Sequence, residues 1–455
     1  MADLPRRLAW EVLVDVAEKD AYANLLLPAK LARTKLRGTD AAFATELTYG
    51  TLRGQEFYDA VIASAAGRPV SKIDAEPLAA MRLGAHQILS MRVPDHAALS
   101  ETVGIVKRVS PRTSGFVNAV LRRISETDRD TWLERVTDGL SETGRQAIEH
   151  SHPEWVVRAL TQALKGHGRD GGEITALLGA DNTPARVAVT ALPGLLDRET
   201  LPGDPAPLSP VSVLLGDAVP RDVPEIADGR ARVQDEGSAL VALALAAVDA
   251  PDGTWADLCA GPGGKAAVLG AEAELAGRRL EASDSSEHRV SLVETSTQAL
   301  DNVDVTVADA RDATGPFAKV LVDVPCMGLG ALRRRPEARY RRRPDDVNAL
   351  AGLQREILTA ALEACAPGGV VAYSTCSPHY AETVLVVDDV LRARQKNGES
   401  PVEVLDTPAV LAEITGAEAD GFASVTRGHG RFAQLWPHLH DTDGMFLALL
   451  KKANP

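Results

Sequence analysis

The stretch Thr254-Trp-Ala-Asp-Leu-Cys-Ala-Gly-Pro-Gly-Gly-Lys265 decides the fold. A short apolar run ends in Asp257, and three glycines follow before a helical stretch expected over Lys265–Leu275. Glycines let backbone N–H groups approach a ligand that a Cβ would keep away. Strand, glycine turn and helix in that order outline a pocket for a dinucleotide or an adenosyl group. A Walker A loop is excluded, because Cys259 stands where its first glycine belongs and Ala266 replaces its hydroxyl. The Gly-x-Gly-x-x-Gly spacing of nicotinamide binders is absent as well.

Downstream of this turn, strand and helix alternate to the end of the chain. Strands are expected at Thr254–Leu258, Arg279–Ser283, Val303–Val307, Lys319–Val322, Val370–Ser374 and Met445–Leu450. Helices fall between them at Glu287–Leu300, Asp346–Ala366 and His379–Arg394. Such alternation over some 200 residues implies a mostly parallel sheet with helices on both faces. The last strand is expected to pair antiparallel as an edge. Acids recur where strands end: Asp257, Asp284, Asp309 and Asp323. A single acid in such a place is usually a helix cap. Four in register are better explained by a ligand, with Asp284 placed for ribose hydroxyls and Asp309 for an adenine edge.

Upstream the pattern differs. Residues 1–150 read as helical throughout, with Leu8, Val12, Leu13 and Val16 at helical spacing and breaks at Pro94-Asp95 and Ser110-Pro111. Residues 151–230 read as a small α/β connector, and 231–455 as a catalytic domain. The chain is thus multidomain: an all-α bundle, the connector, then an α/β Rossmann-like domain. Of 455 residues, 45% are hydrophobic, but no apolar run is long enough for a membrane span. Four cysteines without a C-x-x-C pair argue against a disulfide framework and a metal site, and for a reducing cytoplasm.

The net charge of −14 argues mildly against a nucleic-acid ligand, but local asymmetry reverses this. Seven arginines face one acid between Arg333 and Arg343. Elsewhere such a run would be a solvated loop. Beginning seven residues after Cys326, it reads instead as a clamp for a polyanion backbone, with Arg333, Arg334, Arg335, Arg341, Arg342 and Arg343 as RNA contacts. A second basic cluster, from Lys107 to Arg123, reads equally well as ordinary helix surface.

Two cysteines carry the chemistry. Cys326 lies in Asp323-Val-Pro-Cys-Met-Gly-Leu-Gly330 and Cys376 in Tyr373-Ser-Thr-Cys-Ser-Pro378, each directly after an apolar strand. Both thiols therefore emerge at the carboxyl edge of one sheet. Cys365, on a helix, reads as a small hydrophobe. C5 of cytosine is a poor nucleophile until a thiolate adds to C6, which makes C5 enamine-like. That task needs an attacking thiol, an acid beside the ring and a group that helps release. Cys376, Asp323 and Cys326 fit these roles.

With these blocks the chain resembles the Fmu/Sun-type family of bacterial 16S ribosomal RNA cytosine-C5 methyltransferases. Asp257–Lys265, Asp323–Gly330 and Tyr373–Glu382 look like its signature blocks; Gln234–Ser238, Pro437-His438 and Asp443-Gly444 look like weaker ones. The first 150 residues resemble the RNA-binding factor NusB through Glu46–Arg53, Arg82–Leu89 and Gly115–Arg122. The resemblance implies a class I methyltransferase domain using S-adenosyl-L-methionine. Cys259, Ala260, Gly261, Pro262, Gly263, Gly264 and Lys265 would wrap the cofactor. Asp284 would bind its ribose, Asp309 its adenine side, and Asp323 its methionine end or the target base, and Arg289 would steady the pocket. It further implies Cys376 as nucleophile, Cys326 as the release group, and 16S rRNA as substrate; the sequence leaves the oligomeric state open, with a monomer favoured. Another RNA substrate, or a NusB-like assembly factor without catalysis, is the alternative. Gly261, Ala266 and Met327 stand where the family commonly has Ala, Thr and Ser. The first two exchanges are expected to cost little.

Overall fold

The computed structural model describes residues 3–19, 21–34, 36–216, 218–424 and 431–454. They form two compact units. The first unit takes the chain up to Ala159 together with 174–183 and 332–342. It is all helix: Leu4–Glu18, Ala23–Thr34, Gly38–Arg53, Gln55–Ala66, Ala75–Ser90, Asp95–Val109 and Ser114–Ser125 lead, with shorter helices after them. Residues at helical spacing, among them Leu8, Val12, Leu47, Ile62, Met81, Leu83, Val106 and Val120, bury together in one core. The predicted breaks hold, since Pro94 caps one helix and Pro111 opens a short 3₁₀ turn.

The segment 332–342 enters this unit through a 3₁₀ turn, Pro336–Tyr340. Arg339 has no exposed surface and donates to the Ser151 carbonyl at 2.7 Å and to Asn182 Oδ1 at 3.0 Å. Glu337 accepts the Ala23 N–H at 3.1 Å. A fully buried guanidinium persists only where several acceptors meet it.

The second unit holds two sheets. Strands β1 (Ala188–Ala191), β2 (Asp204–Pro205), β3 (Ser212–Leu214) and β4 (Ala231–Val233) make a small antiparallel sheet in the order β2-β3-β1-β4. The main sheet follows with β5 (Trp255–Asp257), β6 (Leu280–Asp284), β7 (Val303–Val307), β8 (Phe317–Asp323) and β9 (Cys365–Thr375). It ends with β10 (Val402–Val404), β11 (Ala423–Ser424), β12 (Phe432–Gln434) and β13 (Phe446–Lys452). Its order is β11-β12-β13-β9-β8-β5-β6-β7, with β10 paired to β13. From β9 to β7 all pairings are parallel.

Alternate strand residues enter different cores, as a sheet covered on both faces requires. Leu321, Val370 and Ala372 pack with helices Glu236–Ala247 and Gly264–Leu275. Val320, Val322, Val371 and Tyr373 pack with helices Asp346–Ala364 and Val384–Lys396. Two expectations need correction. The last strand does pair antiparallel with β9, but it is no edge, because β10 and β12 cover it. The helix expected from His379 begins only at Val384. The residues before it form a tight turn, with His379 capping Ala381 N–H at 3.2 Å.

Candidate active site

The four acids close strands β5, β6, β7 and β8 or follow them directly, at the carboxyl edge of neighbouring parallel strands. Between β5 and its helix lies the glycine turn. Asp284 receives the Gly261 N–H at 3.1 Å and the Ser286 N–H at 3.0 Å. Arg289 pairs with Asp284 at 3.2 Å and donates to the Gly261 carbonyl, so acid and guanidinium together grip the turn. Gly263 sits at φ +104°, and a Cβ there would fall 2.4 Å from the Ser296 side chain. Gly261 is packed closely too. A Cβ would stand 2.6 Å from Asp284 Oδ2 and 2.8 Å from Arg289 Cβ.

Asp257 is fully buried, with one oxygen accepting the Cys259 N–H at 3.3 Å. Burial, reinforced by Asp323, pushes its carboxyl up to about 7. Asp309 differs from the other three. It caps the turn Ala310–Asp312, and both its oxygens engage Arg311, whose hydrogen bonds hold it down to about 2.

The thiols meet. Cys326 Sγ and Cys376 Sγ are 3.4 Å apart. The register explains it: β8 and β9 run parallel with Asp323 opposite Ser374, and the cysteines follow three and two residues later. The Ser374 hydroxyl donates to Asp323 Oδ1 at 3.0 Å, and the Lys265 ammonium pairs with Asp323 Oδ2 at 2.8 Å. Burial works against charge on Lys265, but Asp323, Cys376 and Asp257 outweigh it and raise its pKa. The hydrogen bond with Cys376, burial and nearby Glu382 push the Cys326 thiol well above its usual range. Backbone bonds stitch the loops: Gly330 N–H to the Cys376 carbonyl at 2.9 Å, Gly444 N–H to the Gly330 carbonyl at 2.7 Å. A Cβ on Gly330 would lie 2.0 Å from the Gly444 oxygen, which explains both glycines of these blocks.

Sequence reasoning missed Ser374, Gln354 and Glu382 as parts of this site. Their signal was weak, since Ser374 lies within a strand, Gln354 in mid-helix and Glu382 in a short turn, places where a polar side chain is ordinarily structural. The arginine run is corrected in part. Arg333 is only 5% exposed and Arg341 is half-buried, donating to the Ala21 carbonyl and lying over the Tyr22 ring. These contacts arise because 332–342 folds into the first unit. Arg334 is half-buried; Arg335, Arg342 and Arg343 are exposed. Among the described residues no His, Cys, Asp and Glu cluster could hold a metal, and no helix is long and apolar enough to cross a membrane.

A parallel sheet of this order, with a glycine turn after its first strand and acids at the ends of the next, defines a Rossmann-like methyltransferase domain. Residues 242–451 match the model of the 16S rRNA methyltransferase RsmB/F family, and residues 3–126 match the NusB family. Over 99% of this chain and 97% of its own length, "Putative methyltransferase Rv1407" of Mycobacterium tuberculosis is 46% identical. Ribosomal RNA small subunit methyltransferase B of Pseudomonas putida is 31% identical over 84% of this chain and 88% of its own. Among solved structures, PH0851 superposes with a TM-score of 0.77 at 20% identity, covering 99% of this chain and 100% of that one. The chain belongs to the RsmB/F family of rRNA methyltransferases, with a NusB domain in front.

Its cofactor is S-adenosyl-L-methionine, and the residues at the turn fit that molecule. Asp257 Oδ2 and Gln234 Oε1 are buried oxygens without a hydrogen-bond partner among the described residues. Gln234 lies against Gly264. A ligand carrying ammonium and hydroxyl donors would satisfy such acceptors. Asp284, Arg289 and Lys265 complete a polar wall around the turn.

Proposed function

We propose that this methyltransferase modifies C5 of a cytosine in 16S rRNA through a covalent bond between Cys376 and C6 of the base. The observation that carries this reading is the thiol pair 3.4 Å apart at the carboxyl edge of β8 and β9, with Lys265 and Asp323 beside it. The two sulfurs have unlike surroundings. Cys376 interacts with the Lys265 ammonium and raises its pKa, whereas Glu382 and Cys376 keep the proton on Cys326. Cys376 is thus the nucleophile and Cys326 the group that aids release.

The bound cofactor supplies an electrophilic methyl group. Cys376 adds to C6, which makes C5 nucleophilic. After C5 gains its substituent, transfer of the C5 proton to water re-forms the C5–C6 double bond and expels the Cys376 thiolate. Addition of the thiolate builds negative charge on the ring, and the Lys265 ammonium, held by Asp323, offsets it; Ser374 fixes the other oxygen of Asp323. The base must leave its stack to reach this depth. Arg334, Arg335, Arg342 and Arg343 hold the RNA backbone, together with the helical unit.

Incubation of 16S rRNA with methyl-labelled cofactor, followed by nucleoside digestion, tests the reading. Label should appear in 5-methylcytidine. Cys376→Ala should abolish transfer, and Cys326→Ala should accumulate a stable protein–RNA species. Label on a ribose oxygen or an exocyclic amine would refute the assignment.

A further inference from the structure

Glu382 has no exposed surface. Its Oε2 accepts the Ser377 hydroxyl at 2.6 Å. Its Oε1 accepts the Met327 N–H at 2.9 Å and the Gln354 amide at 3.1 Å. Met327 follows Cys326 in the chain and Ser377 follows Cys376. One carboxylate therefore holds the immediate neighbour of each thiol. Gln354 reaches the other side of the same loop, donating to the Pro325 carbonyl at 2.8 Å, so Cys326 is fixed from both flanks. The glutamate is itself tethered, because the Tyr373 hydroxyl donates to its backbone carbonyl at 2.6 Å.

Filling space would not require a charge here. A buried carboxylate costs several kcal/mol unless donors converge on it, and an apolar side chain of like volume would carry no such penalty. Donors do converge, from the loop after β8, the loop after β9 and the helix Asp346–Ala364. The late start of the helix at Val384 has the same origin: the turn Tyr380–Glu382 delivers the side chain inward.

We propose that Glu382 is a positioning residue that clasps the two cysteine loops and sets the spacing of the thiol pair. Its consequence for catalysis rests on the covalent reading above; the clasp itself does not. Lys265 faces Cys376, Glu382 and Tyr373 face Cys326, and Asp323 pairs with Lys265. Glu382 binds both loops by side-chain hydrogen bonds.

The test uses the reduced full chain and Glu382→Gln, Glu382→Asp and Ser377→Ala variants. Phenylarsine oxide bridges two close thiols with loss of one water, so its affinity reports their spacing without any methyl transfer. Iodoacetamide labelling of Cys326 against pH, read by peptide mass, reports its proton. Glu382→Gln should bind the arsenical at least ~10-fold more weakly and shift Cys326 labelling to lower pH. Its kcat should fall by ~10²-fold with the KM for RNA unchanged, the scale expected of a misplaced reacting group. Glu382→Asp should recover the pH profile. A folded Glu382→Gln with arsenical binding and labelling profile as in the parent overturns the proposal.

Should Glu382→Gln fail to fold, Ser377→Ala decides. It removes one donor and keeps the charge, so it should weaken the arsenical while leaving the Cys326 profile in place; unchanged arsenical binding overturns the clasp. If these shifts appear while Cys376→Ala still methylates RNA, the clasp stands and the covalent reading falls.

Discussion

Asp257 and the cysteines show how neighbours assign roles to like groups. The Asp257 carboxyl is pushed up to about 7, far above an unfolded aspartate. Between about pH 4 and 7 the folded chain therefore holds a proton that the unfolded chain has lost, and stability falls as pH rises through that window. Asp257→Asn should flatten this slope, with a difference on the order of a few kcal/mol across the window. Melting temperature against pH checks it, and an unchanged slope would show that Asp257 is not the titrating group. The sequence revealed both thiols and all four strand-end acids, because each follows an apolar run that reads as a strand. It could not reveal that Asp309 turns onto Arg311 while Asp284 turns onto Gly261, since both sit in the same strand-end context. Glu382 was invisible as a functional group for the same reason: its donors lie 5, 28 and 55 positions away.

Among the elements, the turn from β5 into its helix is the most constrained. Gly263 combines φ +104° with a Cβ site 2.9 Å from the Val293 Cα, which is backbone and cannot swing aside. Gly263→Ala is expected to cost ~1–3 kcal/mol and to weaken cofactor binding by ~10-fold or more. Calorimetric titration with S-adenosyl-L-methionine measures this, and parent-like affinity would contradict the close packing. The central strands were legible because burial on both faces makes them continuous apolar runs. Strands β10, β11 and β12 span two or three residues each and have no period to read. Likewise the covered position of β13 depends on those short strands, so an edge was the natural expectation.

For the whole molecule, the least legible feature was the path of residues 332–342. Seven arginines in a row of eleven read as one solvated clamp, yet Arg339 and Arg333 are buried within the helical unit. Charge composition cannot tell a guanidinium that meets carbonyls inside a fold from one that meets phosphates. Arg339→Met removes donors to Ser151, Asn182 and Asp181 and should destabilise the helical unit by ~2–4 kcal/mol. Hydrogen exchange in its helices should quicken while cofactor affinity in the second unit stays within about twofold. Loss of cofactor binding in step would contradict a role confined to the first unit. Replacing exposed Arg335, Arg342 and Arg343 by Gln should lower the slope of log affinity against log salt by about 2. An unchanged slope would remove them from the RNA contact. The most direct measurement is peptide mass spectrometry of the parent chain trapped on 16S rRNA carrying 5-fluorocytosine. The nucleotide mass should sit on the peptide containing Cys376, at the sulfur; attachment at Cys326, or no adduct while methylation of the natural RNA proceeds, would contradict the mechanism.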